Sequence, residues 1–424
     1  MSSESLFFGE CANLVRASIS PSLFPDSPYI ALEHIDQGML SLNGHAFGRD
    51  AGSQKTKFSK GDILFGKLRP YFRKAVIAPF DGMCSTDIWV VRPKLGIDRN
   101  FLFYWMASEE FVNHATDTSE GTRMPRAKWD IVSKFEILER SIDEQRAIGN
   151  LLRVLDDRIA LLRETNATLE AIAQAIFKSW FVDFDPVHAK AEGRLPEGMD
   201  KETAALFPDG FEESALGLIP RGWKSGQIVN HCILNDRSWK TDTLPEYVNY
   251  VDLANTKNGD LLSIQTFRAK DVPSRARRVL RAGDTIIGTV RPANRSFALI
   301  GSNIPQLTGS TGFAVLSPKE AFLREFVYQA ATSEANFERL AHLADGAAYP
   351  AVRPDVVTES DCIVPDRPAL EAFHEITVEV VDQQIANRLL IQTLTALRDT
   401  LLPRLISGKL RLPECQNGIE QTTA

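Results

Sequence analysis

The sequence of 424 residues has few cysteines, no long apolar run and no overall excess of basic residues. Its five cysteines are scattered and no two form a C-x-x-C pair, so neither a zinc knuckle nor a redox motif is expected. No run approaches the ~18 consecutive apolar residues of a membrane-spanning helix, and the first residues lack the features of a secretory signal. We therefore expect a cytoplasmic protein with no membrane partner and roughly two to four domains.

Motifs of the common nucleotide and nucleic-acid enzymes are also missing. No Pro-Pro dipeptide occurs, which excludes the Asp-Pro-Pro-Tyr site of amino-methyltransferases. No lysine stands two positions after Asp or Glu, so the D/E-x-K half of a common nuclease site is missing. Residues 61–67 match the first part of a phosphate-binding loop, but Leu68 stands where Ser or Thr should hold Mg²⁺. We expect a strand there, and no catalytic, cofactor-binding or metal-binding residue in this chain.

Two basic stretches stand out in a chain whose net charge is −7 and whose pI is about 5.7. Residues 49–74 and 268–295 each contain eight Lys or Arg against two Asp, a net charge of +6 in both. The stretches contain matching motifs 222 positions apart, namely Gly61-Asp62, Arg69-Pro70 and Arg73 against Gly283-Asp284, Arg291-Pro292 and Arg295. Because this period is far longer than a solenoid unit, it indicates two copies of one domain.

Each copy is predicted to be α+β, with short strands forming a small curved β-sheet. The strand-like runs are bounded by Gly, Pro and Asp, and are residues 29–35, 63–67, 74–78 and 88–92, then 247–253, 285–290, 297–300 and 313–316. A short helix is expected in each copy, at residues 99–116 and 319–343. A loop from glycine to proline then follows at residues 121–125 and 346–350.

A long helix with an apolar seam follows each copy. Seam positions recur alternately every four and three residues, as in coiled coils. They include Leu152, Leu155, Ile159, Leu162, Asn166, Leu169 and Ile176, then Leu390, Leu394, Leu397 and Leu401. We expect the two helices to pair antiparallel, with the two domains related by a pseudo-twofold axis. Asn166 is expected to fix the register at a cost in stability, so Asn166→Leu should stabilise the pair. Asp156 and Asp157 are expected to face solvent or a partner.

Four segments resemble the DNA-specificity subunits of type I restriction–modification enzymes. They are DEQRAIGNLLRVLDDRI at residues 143–159, AIFKSWFVDFDP at 175–186, IPRGW at 219–223 and LLPRLISGKL at 401–410. Together with the Gly-Asp turns and the two glycine-to-proline loops, they cover nearly the whole chain in the family's order. The FKSWFVDFDP run is the most specific of them.

The resemblance implies a non-catalytic subunit that reads an asymmetric, bipartite DNA sequence. It divides the chain into target recognition domains at 1–142 and 221–368, spacer helices at 143–185 and 369–410, and a tail at 411–424. The segment between the copies, 186–220, is rich in Pro, Gly and acidic residues and is predicted to be a surface linker. The implied partners are double-stranded DNA, two methyltransferase subunits that carry S-adenosylmethionine, and motor–nuclease subunits that use ATP and Mg²⁺. The helices would set the distance between half-sites and dock the methyltransferases.

Candidate DNA-binding residues follow from comparing the two copies. In protein–DNA complexes, phosphate contacts dominate affinity and base contacts give specificity. Four arginines kept at matched places in the two copies are predicted to contact phosphates or support the domain, namely Arg69, Arg73, Arg291 and Arg295. Lys67, beside them in the first copy, is a further candidate. Residues that differ are predicted to read bases: Arg123, Arg126 and Lys128 in the first loop, and Ala348, Tyr349, Ala351 and Arg353 in the second. Met124 is a further candidate of the first loop, and the alternative that we favour for it is that its side chain turns into the domain core.

Three other functions remain open at this stage. The chain could be a solitary DNA-binding relative without a methyltransferase partner, which neighbouring genes would reveal. It could be a nucleotide-dependent enzyme built on residues 61–67, which ATP binding to the isolated chain would show. It could also be a coiled-coil scaffold whose basic stretches are merely solvated, which absence of DNA binding by the assembled complex would favour.

Overall fold

A computed structural model describes residues 5–240, 242–346 and 349–411. These residues form two compact units: the described parts of Met1–Arg163 and Leu390–Ala424 form the first, and those of Glu164–Leu389 form the second. Each unit therefore contains one copy of the repeat and part of each long helix. Ala348 and nearly all of the predicted tail lie outside the described residues.

The first unit contains two β-sheets that share a core. The four-stranded sheet is antiparallel and has the spatial order Ala12–Val15, Ile88–Pro93, Ile63–Gly66 and Ala75–Ile77. The five-stranded sheet has the order Ser18–Ile19, Lys55–Phe58, Gly82–Cys84, Pro28–Ile30 and Ala46–Phe47. Ile30, Phe58, Leu64 and Val90, from both sheets, belong to one buried cluster. Each copy thus has two sheets where the sequence predicted one. A further pair joins Ser5–Phe7 to Glu136–Leu138.

Helices cover the other face of the four-stranded sheet. Phe65 and Trp89 on that face pack in one cluster with Leu102 and Phe111 from the helices. The helices are Phe8–Cys11, Arg99–Met106, Glu109–Asp117 and Trp129–Val132. The single helix predicted over 99–116 is two, because Ser108 caps the second one by accepting a hydrogen bond from the Phe111 N–H.

The second unit repeats this layered arrangement. One sheet has the order Cys232–Leu234, Phe313–Pro318, Thr285–Gly288 and Phe297–Leu299, and the other Gln265–Arg268, Tyr247–Val251, Leu307–Ser310 and Ala276–Val279. Its shorter strand pairs are Lys224–Gln227 with Asp361–Val364, and Thr256–Lys257 with Asp260–Leu261. Its helices include Arg324–Thr332, Glu334–Leu343 and Pro354–Thr358. The α+β class and the duplication are therefore confirmed.

The linker predicted at residues 186–220 is wrong, because this segment is folded. It forms the helices Asp185–Ala191 and Lys201–Ala205 and a hairpin of Phe211–Ser214 with Gly217–Pro220. Its apolar residues fill the second core, where the Phe207 ring lies 5.0 Å from Trp180 and 6.0 Å from Trp223. The polar composition of the segment concealed these few anchoring side chains.

The two long helices span Ile142–Phe181 and Arg367–Ile406. In the first unit, Arg398 binds Asp156 while Arg140 donates to the Leu405 carbonyl. In the second unit, Gln384 donates to the Asn166 carbonyl while the Phe177 and Phe373 rings lie 6.1 Å apart. Residue numbers fall along one helix as they rise along the other, so the predicted antiparallel pairing is confirmed within each unit. The pseudo-twofold relation of the domains stays a prediction.

The predicted seam residues are buried or half-buried on the central helix, and some of them are exposed on the C-terminal one. Leu152, Leu155, Ile159 and Leu162 are buried, and Asn166, Leu169 and Ile176 are half-buried. On the C-terminal helix Leu401 is buried and Leu394 half-buried, but Leu390 and Leu397 are exposed by 39% and 36%. The polar residues Gln384, Asn387 and Arg398 are among its buried positions. Polar groups on the facing helix bind these side chains, so apolar periodicity could not locate them.

Asn166 belongs to a buried polar layer, which reverses its expected effect on stability. The Asn387 side-chain amide donates to its Oδ1 at 2.9 Å, and Gln384 donates to its carbonyl at 3.1 Å. Asn166→Leu removes the acceptor of a buried amide, so we now expect it to lower the free energy of unfolding by about 1–3 kcal/mol. Asn166→Leu with Asn387→Leu should recover most of this loss in urea unfolding. A stabilised single variant would contradict the role of the layer.

The two Gly-Asp turns differ in the partner of their aspartate. Arg92 binds Asp62 through Nε and Nη2, at 2.5 and 2.9 Å. The matching Asp284 accepts from the Ser317 hydroxyl at 2.7 Å, and Ser317 holds the place of Arg92 in the second copy. Burial raises the pKa of Asp284 to about 6. Its ionised form is therefore disfavoured in the folded state, and its contribution to stability is lost as the pH rises from about 4 to 6.

Ser317→Arg should give Asp284 the partner that Asp62 has. We expect the free energy of unfolding to rise on the order of 1–3 kcal/mol at neutral pH. The gain should shrink as the pH falls below about 6, because Asp284 of the unaltered chain then becomes protonated in the folded state. Thermal unfolding at several pH values measures the effect. In an Asp284→Asn background the same substitution should give no gain, and a gain there would show that the arginine acts elsewhere.

Candidate nucleic-acid interface

Each unit contains a short turn bounded by two arginines in the left-handed conformation. Arg69 and Arg73 have φ of 52° and 48° on either side of Pro70–Phe72, and Arg291 and Arg295 have φ of 48° and 54° around Pro292–Asn294. We call these the first and second arginine turns. Residues other than Gly, Asn and Asp rarely adopt this conformation. Four matched exceptions indicate a backbone held by its surroundings, as at functional sites.

A second element in each unit is a glycine loop. It spans residues 120–128 in the first unit and the described residues of 345–353, which leave out 347 and 348, in the second. Glu120 and Arg126 exchange backbone hydrogen bonds at its base, as do Asp345 and Ala351. Gly121 and Gly346 have φ of 104° and 112°. A Cβ atom there would approach a loop carbonyl oxygen to 3.2 and 3.0 Å, so glycine allows the loop to close.

The arginine turn and the glycine loop are joined in the same way in both units. The backbone N–H of Arg69 donates to the Pro125 carbonyl at 2.8 Å, and that of Arg291 to the Pro350 carbonyl at 2.6 Å. The side chains make different contacts: Arg69 Nη2 donates to the Arg123 carbonyl at 3.2 Å, and the Arg291 guanidinium lies 4.7 Å from the Tyr349 ring centroid. The predicted arginines and loop residues are therefore brought together in each unit.

Arg73 and Arg295, the second arginines of the turns, are bound to their own units. Arg73 donates through Nε to the Ala107 carbonyl at 2.6 Å and forms an ion pair with Asp399 at 3.4 Å, and burial lowers the pKa of its guanidinium. Arg295 forms an ion pair with Glu334, and its guanidinium lies 4.9 Å from the Phe337 ring centroid. Of the two roles predicted for these arginines, the geometry favours support of the turn over a phosphate contact.

The described residues at the tips of the two loops are exposed to solvent. Arg123 is exposed, and among the described residues its guanidinium has no hydrogen-bond or ion-pair partner. Met124 is 47% exposed and Tyr349 71%. The expectation that Met124 enters the core is wrong, because the bonds at the base of the loop leave its tip standing away from the core.

Other predicted loop residues are engaged in ion pairs. Arg126 donates through Nε and Nη2 to the two carboxylate oxygens of Asp87, at 2.8 and 3.3 Å, so this side of its guanidinium is already engaged. Lys128 pairs with Glu120 at 2.5 Å, and Arg353 with Asp355 at 3.3 Å. These pairs are exposed and can exchange with another anion at small cost.

A buried network of charged and polar side chains was not predicted. Arg398 is 1% exposed and binds Asp156 at 2.7 Å and Asp399 at 3.0 Å, while the Tyr104 hydroxyl donates to Asp156 at 2.6 Å. Asp399 also binds Arg73, so the network joins the first arginine turn to both helices. The expectation that Asp156 faces solvent or a partner is wrong. The sequence feature that could have indicated this network is Arg398 itself, a charged residue within the apolar pattern that ends at Leu401.

Residues 61–67 do not form a phosphate-binding loop. Ile63–Gly66 is a fully buried strand of the four-stranded sheet, and Asp62 is bound to Arg92. Within residues 5–240, 242–346 and 349–411, no group of three His, Cys, Asp or Glu side chains is placed to hold a metal ion. No helix in this described part is long and apolar enough to cross a membrane.

Comparison with known proteins links this arrangement to one family. The family model described as the type I restriction modification DNA specificity domain matches residues 26–171. The chain is 27% identical over 422 residues to the type I restriction enzyme HindI specificity subunit of Haemophilus influenzae, covering 85% of this chain and 88% of that protein. It is 25% identical to the MjaIX specificity subunit of Methanocaldococcus jannaschii, covering 84% and 79%.

Two further similarities are more limited. The EcoDI specificity subunit of Escherichia coli is 31% identical over 179 residues, which cover 40% of each chain. The crystal structure of a type I restriction–modification system S subunit from M. genitalium aligns over 95% of this chain and 96% of its own, with 15% identity and a TM-score of 0.54. This structural likeness concerns the fold.

Proposed function

Because the chain belongs to the DNA-specificity subunits of type I restriction–modification enzymes, we propose that its two units read the two halves of one split DNA sequence. Each half-site would be read by one arginine turn with its glycine loop. The repeated structure supports two recognition surfaces of the same design. The different loop tips make the two half-sites different, so the target is asymmetric.

The observation that carries this proposal is the identical joining of turn and loop in both units. The backbone bonds from Arg69 to Pro125 and from Arg291 to Pro350 tie each arginine turn to the residue that follows the exposed Met124 or Tyr349. Exposed side chains that differ between the copies, next to the same backbone anchor, are suited to reading base edges. The scaffold stays constant while the chemistry of recognition changes.

The side chains at the tips define the proposed roles. Arg123 presents donors suited to guanine O6 and N7, and Tyr349 presents an aromatic ring for apolar contact with a base. Arg69 and Arg291 hold the tips through the Arg123 carbonyl and the Tyr349 ring. Lys67, Lys128 and Arg353 are proposed phosphate contacts beside them, and Arg126 can join them only by releasing Asp87.

The remaining parts of the assembly are proposed from the family. We infer that this chain is non-catalytic, and that S-adenosylmethionine, ATP and Mg²⁺ bind to two methyltransferase subunits and to motor–nuclease subunits. Exposed apolar side chains on the long helices, among them Val154 and Ile172 at 66% and 44% exposure, support a docking role for these helices. The solitary relative is the alternative, and neighbouring genes distinguish the two.

The test is a binding titration with variants of each loop tip. The target is first found by sequencing methylated adenines in the host with and without this gene. Arg123→Ala in the assembled complex should then lose about 1–3 kcal/mol of discrimination at the first half-site. Tyr349→Ala should weaken discrimination at the second half-site only.

Each tip variant serves as the control for the other. Duplexes with one scrambled half-site show which half a variant still reads. Loss of discrimination at both half-sites by either variant would contradict reading by separate units. A complex that does not distinguish cognate from scrambled duplex would contradict the function, and would favour the scaffold.

A further inference from the structure

The second arginines of the two turns have partners from different parts of the fold. Arg73 donates through Nη1 and Nη2 to one carboxylate oxygen of Asp399, at 3.4 Å, on the C-terminal helix and 326 positions away. The matching Arg295 pairs instead with Glu334, which begins the helix Glu334–Leu343 of its own recognition domain. The first turn is therefore tied to a long helix, and the second to its own domain.

This difference is written in the matched positions of the two copies. The long helices begin at residues 142 and 367 and end at 181 and 406, so their positions match at an offset of 225. At this offset Asp399 corresponds to Gln174, which is neutral and exposed. Glu334 corresponds to Glu109, which forms no ion pair within the described part of the chain. Arg73 thus binds the helix although the first copy also carries a carboxylate at the place used in the second.

Asp399 is the anion between two guanidinium groups. Arg398 donates to the same carboxylate oxygen through Nε and Nη2, at 3.2 and 3.0 Å. The Arg73 side chain is only 20% exposed, and burial lowers the pKa of its guanidinium because it disfavours the charged form. If Asp399 lost its charge, the two guanidinium groups would face each other without it. We expect Arg73 then to leave the helix for solvent.

Arg73 ends the same turn that binds the first glycine loop. Only Pro70–Phe72 separates it from Arg69, and both arginines have the left-handed backbone conformation. The Arg69 N–H donates to the Pro125 carbonyl at 2.8 Å, and its Nη2 donates to the Arg123 carbonyl at 3.2 Å. A shift of Arg73 therefore displaces the donors that hold these two carbonyl groups of the loop.

We propose that Asp399 is a positioning residue for the first half-site: it holds Arg73, and through the first arginine turn it sets where Arg123 meets the DNA. This inference rests on the proposed function. It makes the reading of the first half-site dependent on the C-terminal helix, whereas Arg295 of the second turn is held from within its own recognition domain. In this role Asp399 acts through Arg73 and does not touch DNA.

The test compares how well variants of the assembled complex discriminate at each half-site. Asp399→Asn should lower the preference for the cognate over a scrambled first half-site by about 2- to 30-fold, the range expected for residues that act on a site indirectly. The preference at the second half-site should not change. The slope of log K against log salt should also stay the same, because no phosphate contact is lost. Asp399→Glu keeps the charge and should restore most of the preference.

Tyr104→Phe is the control for a purely structural effect. It removes the hydroxyl that donates to Asp156 in the same buried network, and it leaves the pair of Arg73 and Asp399 in place. We expect a lower midpoint of urea unfolding and an unchanged preference at both half-sites. If Tyr104→Phe lost as much first half-site preference as Asp399→Asn, any weakening of the network would have this effect and the positioning role would be wrong.

A double-mutant cycle with Arg73→Gln shows whether the two side chains act together. Arg73→Gln should lose the same preference as Asp399→Asn, and the double variant should lose no more than either single one. A salt slope flattened by roughly 0.9 in Arg73→Gln alone would assign Arg73 to a phosphate and overturn the proposal. Glu334→Gln, at the matched pair of the second unit, should leave the first half-site preference unchanged.

Failure of this proposal can be distinguished from failure of the proposed function. An unchanged first half-site preference in Asp399→Asn, when the unaltered complex reads both half-sites, would overturn the positioning role alone. An unaltered complex that does not distinguish the cognate from the scrambled first half-site would instead contradict the proposed function itself.

Discussion

Replacing Arg398 by methionine is expected to lower the free energy of unfolding by about 3–5 kcal/mol, because breaking a buried ion pair leaves its partner charged and unpaired. Arg398 is 1% exposed and binds both Asp156 and Asp399. Its loss leaves Asp156 with the Tyr104 hydroxyl as its remaining partner in the network. Burial and the neighbouring Asp156 raise the pKa of Tyr104, so this hydroxyl stays a neutral donor. Urea unfolding of the full chain measures the effect.

A double variant separates loss of the pair from loss of packing. Arg398→Met with Asp156→Asn removes both charges and should recover much of the stability, since apolar replacements of buried pairs are often neutral. Arg398→Lys keeps the charge but loses the second donor, so an intermediate loss is expected. Equal unfolding midpoints for Arg398→Met and the unaltered chain would contradict the structural importance of this network.

Leu155→Asp is expected to cost about 3–5 kcal/mol, because it both removes a buried apolar side chain and places a carboxylate in the first core. Leu155 is 9% exposed and packs in one cluster with Leu401 and Leu405 of the C-terminal helix. The variant should be largely unfolded in the first unit and should fail to assemble. Circular dichroism and size-exclusion chromatography with the proposed methyltransferase partner check both outcomes.

Leu397→Asp is the matched control for this prediction. It makes the same chemical change on the other long helix of the same unit, at a position that is 36% exposed. We expect a loss of no more than about 1 kcal/mol, the usual size for surface substitutions with some packing. An equal loss in the two variants would show that the apolar seam, rather than the observed burial, describes the helix pair.

The duplication could be predicted because the two copies within the sequence can be compared with each other. Gly-Asp turns, Arg-Pro motifs and glycine-to-proline loops recur in one order, and the structure gives the paired arginines and paired glycines the same unusual backbone angles. The central helix could be predicted equally well, because its seam is apolar almost throughout. These features depend on local sequence and on periodicity, which a single sequence contains.

The roles of the arginines could not be separated in the same way. Arg69 and Arg73 lie four residues apart in one basic stretch, yet only Arg73 is bound to the long helix. Its partner Asp399 is 326 positions away, and the Asp87 that occupies Arg126 is 39 positions away. Pairing between such distant groups follows from the fold and leaves no periodic signal.

The sequence by itself determined the two domain copies, the two long helices and the segments that form each candidate interface. Only the tertiary structure decided which basic side chains face solvent and which polar side chains are buried in the helix pair. The physical reason is that apolar periodicity reports the side chains that leave water without needing a partner. A polar or charged residue is buried only where a complementary group meets it, as Asn166 meets Asn387 and Asp156 meets Arg398.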